Sequence, residues 1–312
     1  LNTGLDFRGL QGPRVGLTVR LNNNPYIKLD FTSSRWFVGR LGISYMFKNN
    51  NYRLYNQGQR MSSVSFGLHR ADVYYLIANP NKFTINLGAR YEYFNYDPFL
   101  FSQARYRDGE ELLEVEPEGM LNYYLTTKLE TRDDRYYPKK GIGLYTDFML
   151  HTDNGYGHDG GLPFASFYYS LSGTISLTNR IAITPSIAGR TVIGNSIAYG
   201  YLNYMGGDLP GRYMDQQLPF VGIKHIETFS RSLLTVGLEL RQRLFVKHFV
   251  SLRGGYAMHN NDFCDMFKVR NGIWGYGVKY SYNSVLGPIS VQIESSTHDK
   301  SVGVYFSLGR NF

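Results

Sequence analysis

The sequence predicts an all-β fold, namely a transmembrane β-barrel of sixteen antiparallel strands. Its 312 residues include 27 Tyr and 20 Phe, more aromatic residues than a water-soluble chain usually carries. No stretch of about 18 apolar residues occurs, so no helix is expected to span a membrane. Instead, apolar and polar residues alternate along segments of about ten residues, the length with which a tilted strand crosses a bilayer.

The alternation locates ten strands after residue 80. In the last of them, Val302, Val304 and Phe306 point to one side and the residues between them point to the other. The predicted strands are 81–96, 120–132, 138–152, 163–178, 180–192, 229–246, 248–259, 271–284, 285–296 and 299–312. Residues 1–80 are expected to supply six more, beginning at about 3–9, because bacterial barrels generally have an even number of strands.

The connections between these strands differ in length and indicate the orientation of the barrel. Short turns are predicted at 178–180, 246–248 and 284–286, and long loops at 97–119, 152–163, 193–228 and 260–270. The two kinds alternate, as periplasmic turns and extracellular loops do in outer-membrane barrels. We therefore expect the bacterial outer membrane as the location, with both termini in the periplasm.

Composition narrows the function classes. The single cysteine, Cys264, excludes an internal disulfide, and the high aromatic content argues against disorder. The net charge of +8 could suggest nucleic acid. A basic lumen with rim contacts to outer-membrane lipid and lipopolysaccharide phosphates explains it more simply, so no nucleic acid is expected. Because no linker divides the chain, we predict one barrel domain over residues 1–312.

Most charged strand residues face the interior by the same alternation. Charge on the lipid face would cost about 2–4 kcal/mol per Arg or Lys at mid-depth. The predicted lumen wall comprises Arg190, Arg241, Arg253, Lys279 and Glu294, with Arg90, Glu92, Lys128, Glu130, Asp147, Glu239 and Arg243 also inward. This set fits either a cross-linked wall network that holds the barrel shape or a basic conduit.

Catalytic and metal-binding motifs are weak. His259 and His298 fall in predicted neighbouring loops and could form a hydrolase site at the rim, but no serine has a matching spacing. Residues 153–160 contain oxygen ligands for calcium without a full binding-loop pattern. No Gly-x-Ser-x-Gly motif is present. We expect no enzymatic activity, no metal and no cofactor.

Three features together resemble the BamA/TamA-type outer-membrane insertase superfamily, also called the bacterial surface antigen family. The segment 133–141, Asp-Asp-Arg-Tyr-Tyr-Pro-Lys-Lys-Gly, is similar to that family's turn between strands eight and nine. A long sixth extracellular loop, 193–228, precedes five strands. The last strand alternates and ends in Phe312. The resemblance covers most of the chain and is strongest from about 120 to 312.

This resemblance implies roles for particular residues. The sixth loop is expected to fold into the lumen, with Arg212 and Tyr213 at its tip and Glu239 as the acidic partner on the wall. The periplasmic turn motif is carried by Asp134, Tyr137, Pro138 and Gly141. The C-terminal assembly signal is carried by Phe306, Leu308 and Phe312.

The implied function is outer-membrane protein or lipid assembly through a weak seam between the first and last strands. Gly4 and Gly9 in the short first strand would weaken that pairing. Neither the peptide-binding POTRA domains of insertases nor an enzymatic domain is recognisable in the chain, so client outer-membrane proteins or a periplasmic or barrel partner are expected. Two alternatives stay open, namely an anchor or translocator barrel for a patatin-like phospholipase and a plugged or narrow diffusion pore.

Overall fold

The computed structural model describes residues 2–8, 12–21, 25–79, 82–96, 117–152, 163–195, 197–207, 215–268, 272–285, 287–299 and 301–308. Fifteen strands form the wall. They are β1 (Asn2–Arg8), β2 (Arg14–Arg20), β3 (Tyr26–Thr32), β4 (Arg40–Asn56), β5 (Gln59–Asn79), β6 (Phe83–Asn95), β7 (Glu118–Glu130), β8 (Gly141–Thr152), β9 (Phe164–Ser176), β10 (Ile181–Ile193), β14 (Ser232–Phe245), β15 (His248–Asn260), β16 (Ile273–Ser284), β17 (Gly287–Ser296) and β18 (Gly303–Leu308). Three short strands between β10 and β14 are β11 (Asn203–Met205), β12 (Gln217–Leu218) and β13 (Ile226–Phe229).

Each wall strand pairs antiparallel with the next one, and β10 pairs directly with β14 from Ile181↔Gln242 to Thr191↔Ser232. A strand is present at each of the ten positions predicted after residue 80. Within the described residues, β1 and β18 do not pair with each other. The result is one large antiparallel sheet, which confirms the all-β prediction, whereas the predicted closure is not present.

The two faces of this sheet differ in chemistry. Val278 on β16 and Ile293 on β17 are about half exposed on the outer face. Their neighbours Gln292 and Glu294 are buried on the inner face. Because successive strand residues point to opposite faces, this pattern gives the wall an apolar outer surface and a polar inner surface.

The described part of residues 1–80 contains five strands, whereas six were expected. Two of the five are long, since β4 has 17 residues and β5 has 21, well beyond a span of about ten. Among the described strands, the turn 131–140 follows the seventh instead of the eighth. The placement of both termini on one side of the membrane stays a prediction.

We call the two ends of the wall the loop edge and the turn edge. The loop edge carries the long connections 96–117, 153–163, 194–231 and 261–272, and the turn edge carries the short ones 177–180, 246–247 and 285–286. The predicted alternation of long and short connections is therefore present. Which edge faces the periplasm stays a prediction.

Residues 194–231, here called the long loop, contain a 3-10 turn (Tyr199–Tyr201) as well as β11, β12 and β13. β11 pairs with both β12 and β13, and β13 runs parallel to β4 through Ile226↔Leu54 and Glu227↔Tyr55. A short helix α1 (Phe263–Met266) is capped by Asp262. In the described part of the chain, no helix has the length and hydrophobicity needed to cross a membrane.

Candidate functional site

The long loop lies against the inner face of the wall and provides much of the buried core. Tyr204, Met205, Leu218 and Ile223 are fully shielded from solvent. One apolar cluster joins the last three to wall residues such as Leu233. Burying apolar side chains of this size contributes about 1.5–3 kcal/mol each. The described part of the long loop is therefore packed against the inner face of the wall.

Glycines on the wall create a flat surface for the long loop. A Cβ at Gly275 would lie 1.9 Å from the Val221 carbonyl oxygen, and one at Gly255 would lie 3.1 Å from the Phe220 ring. Gly222 has a φ of +89°, and its Cβ would meet the Ser295 carbonyl oxygen at 2.2 Å. Residues 220–222 can therefore approach β15, β16 and β17 so closely only because side chains are absent there.

Arg190 anchors the long loop by its polar atoms. Its Nη1 donates to the Tyr201 carbonyl oxygen at 2.8 Å and to Asn203 Oδ1 at 2.6 Å. Asn203 in turn donates to the carbonyl oxygens of Ser230 and Arg231 at the end of the loop. Arg190 is only 5% exposed. Arg190 thus binds the first part of the long loop, and Asn203 links that part to the end of the loop.

A second anchor is centred on Glu92 of β6, whose side chain is almost fully buried. Glu92 accepts hydrogen bonds from Arg70 Nε at 2.7 Å, from Asn122 Nδ2 at 2.7 Å and from the Tyr201 hydroxyl at 2.7 Å. Burial, followed by the charge of Glu92, raises the pKa of Tyr201 well above its usual value. Tyr201 therefore stays protonated as a donor and links the long loop to β5, β6 and β7.

His151 extends this network. Its Nδ1 lies 2.8 Å from Asn122 Oδ1 and its Nε2 lies 2.9 Å from Ser166 Oγ. Because the Asn122 amide nitrogen is engaged with Glu92, its oxygen faces His151, which fixes the proton on Nδ1 and makes Nε2 the acceptor for Ser166. The connectivity resembles a hydrolase triad. However, His151 is 1% exposed and packed between Phe164 and Tyr201, so its role is to support the long loop.

The long loop also makes an ion pair with the wall, but with the opposite polarity to the expected one. Asp215 Oδ2 lies 2.5 Å from Arg70 Nη2. The Arg70 guanidinium holds the pKa of the Asp215 carboxyl well below its usual range. The expected tip residues Arg212 and Tyr213 lie outside the described residues.

Glu239, the expected partner of Arg212, is engaged within the wall. It accepts a hydrogen bond from Ser251 Oγ at 2.9 Å, and its Oε2 lies 3.7 Å from Arg253 Nε. Glu239 and Arg253 are direct cross-strand neighbours. Arg253 also donates to Gln292 Oε1 at 3.5 Å. These four residues form a wall network, which is one of the two predicted interpretations.

Lys279 and Glu294 lie on the inner face as predicted. Lys279 is placed between Ser251 and Gln292 of the neighbouring strands. Glu294 is 2% exposed and accepts a hydrogen bond from Gln292 Nε2 at 3.0 Å. Both side chains therefore share the inner face with the network of Glu239 and Arg253.

The turn 131–140 folds inward at the turn edge and crosses to the far wall. Asp134 Oδ1 accepts from the backbone amides of Tyr136 and Tyr137. The Tyr137 ring stacks on Phe249 of β15, with centroids 4.0 Å apart. Arg241 of β14 donates to the Pro138 carbonyl oxygen. The predicted motif residues thus bring together strands that are not neighbours in the sheet.

Gly141 permits the path of this turn. It has a φ of +115°, and a Cβ there would lie 2.6 Å from both Arg132 Cα and the Thr131 carbonyl oxygen. Any other residue would combine backbone strain with a backbone clash. The turn therefore requires glycine at position 141 for steric reasons.

The inner face also lines a cavity of about 470 Å³. It is lined by Lys128, Asp147 and the ion-paired groups Arg70, Arg90 and Asp215, among others. Arg90 Nε lies 2.5 Å from Asp72 Oδ1. Ion pairs therefore cross-link the charged groups that line the cavity.

The remaining predicted positions have simple environments. Phe306 and Leu308 are 65% and 62% exposed on the outer face, and Phe312 lies outside the described residues, as does the candidate calcium segment 153–160. No group of three or more potential metal ligands occurs among the residues with described positions. His259 Nδ1 forms a hydrogen bond with Ser230 Oγ at 3.0 Å. Cys264 is an exposed thiol.

Sequence reasoning missed Arg70, Asp215 and the Glu227–His298 pair, whose Nε2–Oε2 distance is 2.7 Å. Arg70 falls in the region where the strand boundaries were least determined by alternation. Asp215 and Glu227 lie in the long loop, where no periodicity indicates which side chains meet the wall. The available sequence signal was a polar loop with isolated acidic residues opposite a wall predicted to be basic.

Comparison with known proteins places this arrangement in a family. A sequence model described as the OMP85 superfamily matches residues 20–312. A search of the curated proteins finds no match. Among solved structures, the chain is similar to BamA from Haemophilus ducreyi lacking POTRA domains 1–3, with a TM-score of 0.67, 14% identity and 98% of this chain covered. It is also similar to CdiB from Escherichia coli, with a TM-score of 0.56, 14% identity and 98% coverage. The chain spans 65% and 61% of those two chains.

Proposed function

The chain belongs to the OMP85 superfamily, whose members are outer-membrane β-barrels, and we propose that it takes part in outer-membrane protein or lipid assembly. The proposed route is the wall of the molecule, at the seam between β18 and the first strand, and not the interior. No covalent chemistry or cofactor is needed for this activity. The proposed partners are client outer-membrane proteins, the surrounding lipid and lipopolysaccharide.

The observation that carries this proposal is the occupied interior. The long loop is buried against β14 to β17 and is held by Arg190 and Glu92, while the turn 131–140 crosses the opposite end. Releasing the long loop would expose a buried apolar cluster and remove the Tyr201 donor from the buried Glu92 carboxylate, which is costly. A diffusion pore would need an open interior, so this observation favours a route at the wall.

The pairing of the seam strands supports the same route. Among the described residues, β1 and β18 form no ladder with each other, whereas β5 and β6 pair from Gly67↔Asn95 to Asn79↔Phe83. Fewer ladder hydrogen bonds have to be broken at the seam than between such neighbours, which favours the seam as the place of entry. Phe306 and Leu308 present apolar side chains to lipid beside this seam. We propose that they contribute to recognition during assembly, as the resemblance implies.

Reconstitution tests the proposal. The purified protein in lipid vesicles should accelerate the folding of a urea-unfolded outer-membrane protein several-fold, followed by the gel shift between folded and heat-denatured forms. Vesicles that hold an unrelated barrel at the same density serve as the control. Equal folding rates in both preparations would refute the assembly function.

A further inference from the structure

The β4–β5 hairpin reaches far beyond its neighbours at the loop edge. β3 pairs with β4 only from Gly42 to Lys48, and β6 pairs with β5 only from Gly67 to Asn79. Residues 49–66 therefore extend past the ends of β3 and β6. The free edge of this extension is occupied by β13 of the long loop, through Ile226↔Leu54 and Glu227↔Tyr55.

The tip of the hairpin is fastened by Glu227. Its two carboxylate oxygens accept hydrogen bonds from the backbone amides of Gln57 at 3.1 Å and Gly58 at 3.2 Å. His225 stacks on Tyr55, with ring centroids 3.8 Å apart. The hairpin and the long loop thus form one unit at the loop edge.

The same carboxylate also holds the connection between β17 and β18. Glu227 Oε2 lies 2.7 Å from His298 Nε2, and the Glu227 side chain is 3% exposed. A Cβ at Gly58 would lie 2.3 Å from Asp299 Oδ1, so the hairpin tip touches this connection directly. Lys224 Nζ lies 3.8 Å from Asp299 Oδ2 and reinforces the contact.

These contacts connect strands from the two ends of the sheet. β18 is the last strand of the wall, whereas β4 and β5 belong to its first five strands, so the contacts join the two sides of the seam. We propose that Gln57, Gly58, Glu227, His298 and Asp299 form a seam clasp. The clasp holds the two sides of the seam together at the loop edge and acts as the hinge about which they separate at the turn edge.

This inference rests on the proposed function and specifies its regulation. The clasp is compact and shielded, since the side chains of Glu227 and Asp299 are 3% and 7% exposed. The long loop also touches the first residue of β18, because a Cβ at Gly303 would lie 3.0 Å from Lys224 Cγ. Comparable ties to the long loop do not occur at Phe306 to Leu308 among the described contacts. A client strand would therefore enter the seam from the turn edge.

A disulfide across the clasp provides the first test. Gly58→Cys and Asp299→Cys are combined with Cys264→Ser in the full-length protein, because a side chain at Gly58 would contact residue 299 directly. If the clasp is a hinge, the oxidised protein folds the client in vesicles at the rate of the reduced protein. A loss of activity on oxidation that reductant restores would overturn the hinge and leave the assembly function standing.

Hydrogen exchange of β18 provides the second test and depends on no cross-link. In the wild type, amides at Phe306 to Leu308 should exchange faster than those at Gly303 and Val304. Glu227→Gln should abolish this difference by raising exchange at Gly303 and Val304 several-fold. Glu239→Gln, which removes a carboxylate bound only within the wall network, is the control and should leave the pattern unchanged.

Uniform exchange along β18 in the wild type, or an unchanged gradient in Glu227→Gln, would contradict the clasp. The two tests separate the clasp from the function on which it rests. If neither the reduced nor the oxidised protein accelerates client folding, the assembly function fails, and the exchange gradient still decides whether the clasp holds the seam.

Discussion

At the residue scale, the interior depends on a few buried charged groups with several partners each. Arg70 contacts both Glu92 of the wall and Asp215 of the long loop. Glu92 in turn contacts Asn122 and Tyr201. Burying a charge is tolerated only when such partners compensate the lost hydration, so removal of one member leaves the others uncompensated.

Glu92→Gln should therefore destabilise the folded protein by about 3 kcal/mol, because it leaves three donors facing a neutral amide. The measurement is the temperature at which the folded form is lost on a gel in detergent. Glu130→Gln is the matched control, since Glu130 is paired with Arg132 in a position where its side chain is 39% exposed. Equal losses in both variants would contradict the central role of Glu92.

The Asp215–Arg70 pair predicts how the long loop responds to acid. Because Arg70 lowers the pKa of Asp215 in the folded state, the stabilisation is complete above the carboxyl's ordinary pKa of about 4 and is lost only below it. The wild-type channel conductance should therefore stay unchanged between about pH 7 and pH 4. Asp215→Asn should raise the conductance at both pH values, and opening of the wild type above pH 4 would contradict the pair.

The inward position of Arg190, Arg241, Arg253 and Glu294 could be predicted because a strand has only two faces. The contacts of these residues could not be predicted from the sequence. Arg190 binds Tyr201, 11 residues away in the loop that follows its strand, and Arg241 binds Pro138, 103 residues away. A period of two contains no information about which loop folds back onto which strand.

At the element scale, turns and strand lengths determine features of the fold that the alternation of residues does not predict. Six strands in residues 1–80 would require spans of about ten residues, whereas β4 and β5 have 17 and 21. Part of β4 and β5 lies beyond the wall, where the polar run Asn49–Asn51 does not alternate. An extension that pairs with a loop strand has no separate signature in the sequence.

Gly141→Ala should destabilise the turn 131–140 by about 1–3 kcal/mol, because a non-glycine residue at this positive φ is strained. The gel-shift temperature of the folded form measures the loss. Gly173→Ala is the control, since a Cβ there has nothing within 4 Å. If the two variants unfold alike, the turn does not need its glycine.

Gly275→Ala should displace residues 220–222 from the wall, because the new Cβ would lie 1.9 Å from the Val221 carbonyl oxygen. Single-channel recordings should then show larger or longer openings than the wild type. Gly254→Ala lies on the adjacent strand with open space around its Cβ and should behave like the wild type. Closed recordings for Gly275→Ala would show that the glycine surface does not hold the long loop.

At the scale of the whole molecule, an apolar outer face surrounds an interior that the chain itself occupies. The long loop fills the loop edge, the turn 131–140 crosses the turn edge, and the hairpin tip joins both sides of the seam. Because parts of the chain itself occupy the interior, we propose that a client contacts the wall. The proposed function therefore depends on the route that a client takes.

Site-specific photo-crosslinking tests this route most directly. A photo-activatable residue is placed either at Val304 of β18, which is 67% exposed on the outer face, or at Lys128, which lines the interior cavity. During folding of a client into vesicles, we expect client adducts at position 304 and none at position 128. Adducts at position 128 without adducts at position 304 would contradict a route at the wall.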